Sequence, residues 1–208
     1  SDHAAMEHMG KMIAEAEKQN LVLSTYHNRH WDGCILQAVK MIKEEKVIGD
    51  VFRIEAHMGG YNKPKDWWRS SKSISGGILY DWGVHLLEYS LQLIDSELVE
   101  VTGYASSGVW ADKTAWKDDC NEDEAFLVVR FKKGSWLTMR NSSLNAVPSP
   151  GRIVFHGTKG AYIMDSIENH INHRRHNSIC QDNFLEKSQR NQKKPPSHHC
   201  GSGLARVC

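Results

Sequence analysis

The chain has 208 residues, 40% of them hydrophobic and 25% charged, and a formal net charge of +1. That balance suits one or two soluble domains with a real core, and it makes no general case for nucleic acid or an anionic membrane surface as a partner. No apolar run approaches the roughly 20 residues of a membrane helix. The first residues show no basic-then-apolar signal pattern, so the cytoplasm is the expected compartment. The five cysteines (Cys34, Cys120, Cys180, Cys200, Cys208) are odd in number and lack C-x-x-C spacing, which fits reduced thiols better than a disulfide framework or a zinc ribbon.

Met6, Met9, Ile13 and Ala16 recur at helical spacing, predicting an amphipathic helix from about Ala4 to Gln19. Asn20 is a stop, and Leu21 to Tyr26 (LVLSTY) reads as a short buried strand, so the two form a helix–strand unit of the kind found in α/β sheets. From Trp31 the period is helical again, with Ile35, Ala38, Val39 and Ile42 on one face. Val47-Ile48-Gly49-Asp50 turns the chain. In Val51 to Met58, Phe52, Ile54, Ala56 and Met58 then alternate with Arg53, Glu55 and His57, as in a half-exposed strand. A polar loop carries Pro64 and Trp67-Trp68-Arg69. The segment Gly76 to His85, GGILYDWGVH, follows and continues apolar to about Ile94, predicting a mostly buried helix.

Strand patterns fill the next part, at Leu98 to Ser106, Glu124 to Phe131, Ser135 to Ser142, Arg152 to Phe155 and Ala161 to Met164. Lys133-Gly134 predicts a hairpin between the second and third, and Gly157-Thr158-Lys159-Gly160 is another turn. The expected fold class is therefore α+β: an open, mainly antiparallel sheet with helices on one face. The uncovered sheet face predicts a homo-oligomer. After Ser166 the sequence turns basic, His-rich and aperiodic, and 166–208 reads as a poorly structured tail or a change of reading frame. His170, His173 and His176 are spaced like helix-face ligands, but nothing around them suggests a folded cage, and no metal is expected.

Asp81 and His85 stand at i and i+4 on the predicted helix, so both would project the same way from adjacent turns. Gly76 and Gly77 in front allow backbone angles closed to other residues, and Gly83 removes bulk between the two polar groups. Imidazole exchanges a proton near neutral pH, and a neighbouring carboxylate would orient it and favour its charged form. The plain alternative is a satisfied polar pair at the margin of the core; a metal pair would lack a third ligand.

The order of short motifs adds to this. Tyr26-His27-Asn28-Arg29-His30 follows the first strand, then come Val47-Ile48-Gly49-Asp50, Trp68-Arg69, the GG-I-L-Y-D-W-G-V-H block and Gly157-Thr158-Lys159-Gly160. This series resembles the Gfo/Idh/MocA family of NAD(P)-dependent sugar and inositol oxidoreductases from about Ala4 to Asp165, most specifically at the D-x-G-x-H block. The resemblance implies that 1–28 is the closing remnant of a dinucleotide-binding Rossmann domain and that 29–165 is the substrate-binding and dimerisation domain. It implies His85 as the acid/base for the substrate hydroxyl and Asp81 as the carboxylate that binds substrate and tunes it. Asn28, Arg29, Trp68 and Arg69 would face the nicotinamide half of NAD or NADP, and a sugar or polyol would be the partner.

The family's G-x-G-x-x-[GA] fingerprint and its E-K-P motif have no match here, so cofactor affinity and one catalytic donor are missing from this chain. A truncated oxidoreductase, inactive alone, is the expected function. The alternative is a non-catalytic sugar-binding or dimerisation module derived from the same family.

Overall fold

Alternation of apolar and polar residues over 51–59 and from 98 onward builds a single sheet. The computed structural model describes residues 2–25, 27–165, 169–173 and 206–207, with side chains over 6–25 and 27–165. The strands are β1 (Val51–Gly59), β2 (Leu98–Ser106), β3 (Glu124–Phe131), β4 (Trp136–Ser142), β5 (Ile153–Gly157), β6 (Gly160–Met164), β7 (Asn169–His173) and β8 (Arg206–Val207). Their order is β2-β3-β4-β1-β5-β6-β7-β8. β1 enters between β4 and β5, parallel to β4 and antiparallel to β5. The pairs from β2 to β4 and from β5 to β7 are antiparallel, so the sheet is open and mainly antiparallel, as expected.

The helices are α1 (Asp2–Lys18), α2 (Gly33–Ala38, continued as a π-helical turn over Val39–Glu44), α3 (Lys72–Ser75) and α4 (Gly83–Leu93). α2 and α4 cover one face of the sheet. Ile35, Ala38 and Ile42 from the first and Leu86, Tyr89 and Leu93 from the second pack on Ile54, Val129, Leu137, Phe155 and Tyr162. Each of these side chains is removed from water, and full burial of one such residue contributes about 1.5–3 kcal/mol. The opposite face carries Arg53, Glu55 and His57 of β1 beside Trp136, Thr138 and Arg140 of β4, and no described helix covers it.

A bulge in β1 moves one predicted core residue. The register against β5 shifts between Val51 and Arg53, so Val51 turns towards the core while Phe52 joins Trp136 and His156 on the uncovered face. The edge strand β2 is exposed along its length, because α4 packs chiefly on β4 and β1 and α2 on β6.

Two expectations need correction. Leu21 to Thr25 forms no strand: the segment is irregular and exposed, with Val22 97% accessible. An apolar run becomes a strand only where a neighbour accepts its backbone hydrogen bonds, and none of the described strands lies alongside it. Within the expected tail, Asn169–His173 pairs with β6 instead of running free. Pairing to an edge uses backbone groups, so a polar sequence is no bar to it. Apart from that strand and Arg206–Val207, the tail lies outside the described residues.

Candidate active site

Residues 69–78 are held in shape by the loop 119–122, which meets them at almost every position. Asp119 accepts hydrogen bonds from the hydroxyls of Ser71 and Ser73 and from the Ser73 backbone N–H. The Asn121 amide donates to the Arg69 carbonyl, and its oxygen accepts from Ser75. Glu122 accepts from the Ile78 N–H at 3.1 Å and pairs with Lys72 at 2.7 Å. Burial alone would raise its pKa, but these contacts outweigh that and hold it below the ordinary carboxylate value. Gly76 and Gly77 sit at φ +84° and +123°, the conformations expected of them, and turn the chain into the segment that carries Asp81.

Asp81 and His85 do not share a helix. A 3-10 turn over Ile78–Tyr80 ends at Asp81, whose backbone (φ −85°, ψ −80°) is non-helical, and α4 begins only at Gly83. Gly83 serves that break. A β-carbon there would lie 3.1 Å from Leu79, so the glycine makes room for Leu79 and not for a ligand between the polar residues. Asp81 instead accepts a hydrogen bond from Arg69 at 3.0 Å. A permanently charged guanidinium is the stronger partner for a carboxylate than a mainly neutral imidazole.

His85 finds its partner in another part of the chain. Its Nδ1 shares a 3.1 Å hydrogen bond with Nε2 of His27, which precedes the helical turn Asn28–Trp31. The ring centre of Trp82 stands 5.7 Å from that of His85 in an edge-to-face arrangement, and the guanidinium groups of Arg29 and Arg152 each lie 4.8 Å from the centre of that indole. Burial depresses the His85 pKa, and His27 and Arg29 lower it further, against the opposing pull of Asp81 and Asp32. The neutral form of the imidazole is thus favoured, the reverse of the charged form that a directly paired aspartate would have favoured.

Arg29 donates to Asp32 at 3.1 Å, and Asp32 accepts the Tyr89 hydroxyl proton from the core side. Asn28 is exposed. Arg69 lies between Trp67 and Trp68, 5.2 and 5.1 Å from their ring centres, and both indoles are exposed. The structure therefore gathers two clusters at the start of α4: Arg29 with Trp82, His85 and His27, and Arg69 with Asp81, Trp67 and Trp68. His27, Asp32 and Arg152 were not singled out from sequence, although His27 stands inside the motif that drew attention to Asn28 and Arg29.

Arg152 also borders a cleft of about 400 Å³ between the end of β1 and the loop 145–151, lined by His57, Tyr61, Asn145 and Asp165. In the same cleft the His57 pKa is depressed by burial first and by Arg140 next. Among the described residues, no group of His, Cys, Asp and Glu is placed to hold a metal ion, and no helix is long and apolar enough to cross a membrane.

The fold is an open α+β sheet backed by helices on one face, with a histidine near a helix start beside arginine and tryptophan. Comparison with known proteins gives its family. The GFO/IDH/MocA C-terminal domain matches residues 36–163, and the chain belongs to the Gfo/Idh/MocA family. A myo-inositol 2-dehydrogenase from Thermotoga maritima is 30% identical over 159 residues, covering 76% of this chain and 45% of that protein. The uncharacterized oxidoreductase YdgJ of Escherichia coli is 26% identical over 154 residues, or 74% of this chain and 41% of its own length. Among solved structures, an NAD-binding protein from Listeria innocua superposes with a TM-score of 0.62 at 29% identity, covering 76% of this chain and 42% of that one. The chain thus spans less than half the length of these relatives.

Proposed function

We propose that this chain supplies the substrate-side half of an NAD(P)-dependent oxidoreductase acting on a sugar, inositol or related polyol, with His85 as acid/base. The observation that carries this reading is the placement of His85, bonded through Nδ1 to His27 with Nε2 making no hydrogen bond among the described residues, and burial lowers its pKa. A base must hold an accepting lone pair at working pH, and a depressed pKa provides it. The names of the relatives, an inositol dehydrogenase among them, support the substrate class.

Asn28, Arg29, the exposed Trp68 and Arg69 would face the nicotinamide end of a bound dinucleotide. A bound nicotinamide supplies the hydride acceptor. His85 takes the hydroxyl proton at Nε2 as the carbonyl forms, and Asp81, oriented by Arg69, accepts a hydrogen bond from a neighbouring substrate hydroxyl. The uncovered sheet face, with Phe52 and Trp136 exposed upon it, is the proposed surface for pairing with a second copy. That face also favours the second reading, a non-catalytic dimerisation module.

Joined to an upstream strand–G-x-G-x-x-G–helix unit, these residues should oxidise polyols with NAD(P)+, and His85→Ala should lower turnover at least about a hundredfold. Unchanged turnover in that variant removes His85 from the chemistry. Calorimetric titration of the 208-residue chain with NAD+ and NADP+, alongside sedimentation, separates the readings. Self-association without nucleotide binding and no polyol oxidation by the longer chain would favour the module.

A further inference from the structure

His27 and His85 come from segments far apart in sequence, yet their rings meet nitrogen to nitrogen. The N···N distance is 3.1 Å, the ring centres are 5.1 Å apart and the planes are tilted by 41°. A centre separation of that size is close to what one such contact between edge-on rings requires, so the pair is hydrogen-bonded and not stacked. Both rings are partly buried. Two neutral imidazoles satisfy this geometry in only two ways: His85 donates from Nδ1 and His27 accepts at Nε2, or the reverse. If Nε2 of His85 is to receive a substrate proton, the neutral ring must carry its own proton on Nδ1, and the first arrangement follows.

We propose that His27 is the positioning residue of this site: it fixes His85 as the Nδ1–H tautomer and receives the displaced proton when the alcohol is oxidised. The inference rests on the reading of His85 as acid/base. The alcohol O–H bond breaks and its proton forms a new N–H bond at His85 Nε2, while the hydride leaves carbon for the nicotinamide. The Nδ1 proton of the same ring then crosses the 3.1 Å contact to Nε2 of His27. His85 ends neutral and His27 cationic, with one proton gained by the pair and none lost. The charged and titratable groups facing His85 are His27 and Arg29 from the turn before α2, Asp32 at the start of α2, and Asp81 from the break before α4. The two carboxylates favour a cation at His85. Arg29 and Arg69, bonded to them in turn, keep the carboxylates in place.

Correlation of ring nitrogens with ring protons by NMR, on the 208-residue chain at neutral pH, reads the tautomer directly. The expected result is His85 as the Nδ1–H form. In His27→Ala that preference is lost and the His85 pKa rises; in His27→Gln, whose amide oxygen still accepts, the tautomer is retained. A wild-type spectrum showing His85 protonated at Nε2 overturns the proposal, and so does an unchanged tautomer in His27→Ala. Should His27→Ala fail to fold, the wild-type spectrum decides alone. In the longer enzyme, His27→Ala should lower kcat by roughly tenfold with KM unchanged, well short of the loss expected for His85 itself. An inactive longer enzyme whose His85 keeps the Nδ1–H form overturns the oxidoreductase reading and supports the pairing. An active one with the other tautomer overturns the pairing alone.

Discussion

Glu122→Ala tests whether the loop 119–122 sets the shape of the segment that leads into the site. The carboxylate is largely buried, with its side chain 14% exposed, and it makes two contacts: Lys72 Nζ at 2.7 Å and the Ile78 N–H at 3.1 Å. Lys72 is 55% exposed, so solvent screening leaves the ion pair a minor part of what Glu122 contributes. The backbone N–H loses a charged acceptor where water enters poorly, at a cost of about 1.5–3 kcal/mol. The expected loss is about 2–3 kcal/mol for Glu122→Ala and about 1 kcal/mol for Glu122→Gln, whose amide oxygen still accepts from Ile78. Urea unfolding followed by tryptophan fluorescence measures both, and a urea m-value of about 2 kcal/mol/M puts the Ala midpoint about 1 M lower. The difference should also depend on pH. The folded Glu122 pKa is depressed below its ordinary 4.5, so its stabilisation is full above that value and is lost as pH falls through the folded pKa. A loss under about 0.5 kcal/mol at neutral pH, or equal losses in the two variants, would refute the clamp.

Leu86→Ala opens a hole in a fully buried position between α4 and the sheet and should cost about 2–5 kcal/mol in the same unfolding assay. Gly77→Ala must hold a β-carbon at φ +123° and bring it within 3.1 Å of Glu122 Oε2, which predicts about 1–3 kcal/mol of destabilisation. His57 and His85 both have pKa values depressed below 6.5 by burial, so the unfolded chain binds protons first on acidification. Stability should therefore fall as pH drops below about 6.5 and level off below the folded values, and replacing both residues with glutamine should flatten that limb of a pH series of urea midpoints.

Where a feature depends on neighbours in sequence, it could be read from sequence. The alternation over 98–106 and 124–131 gives β2 and β3 their observed limits, and Lys133-Gly134 gives the hairpin that follows. The place of β1 between β4 and β5 is a long-range pairing that no local pattern encodes. The apolar run Leu21–Leu23 looks like a strand by composition and lacks only a partner, which composition cannot supply. Spacing misled at Asp81, because the i and i+4 rule holds only inside a continuous helix and the chain breaks there to seat Leu79 against Gly83. His27 carries no local signal for its role at all, since its contact with His85 spans 58 positions.

What fixes the distance between those two rings is the hydrophobic core. Tyr89 stands one helical turn beyond His85 on α4, and its ring is fully buried against the sheet. Its hydroxyl crosses to Asp32, and Asp32 holds Arg29. The turn carrying His27, Asn28 and Arg29 is therefore tied to α4 by the same residue that anchors α4 to the sheet. Arg69 and Asp81 make the corresponding tie on the other side, where the loop 119–122 fixes the backbone of Arg69 through Asn121. Arg29 and Asp81 are thus each one hydrogen bond away from a group whose position the packed core or a saturated loop determines. That arrangement keeps the imidazole aimed at one place without a direct carboxylate partner.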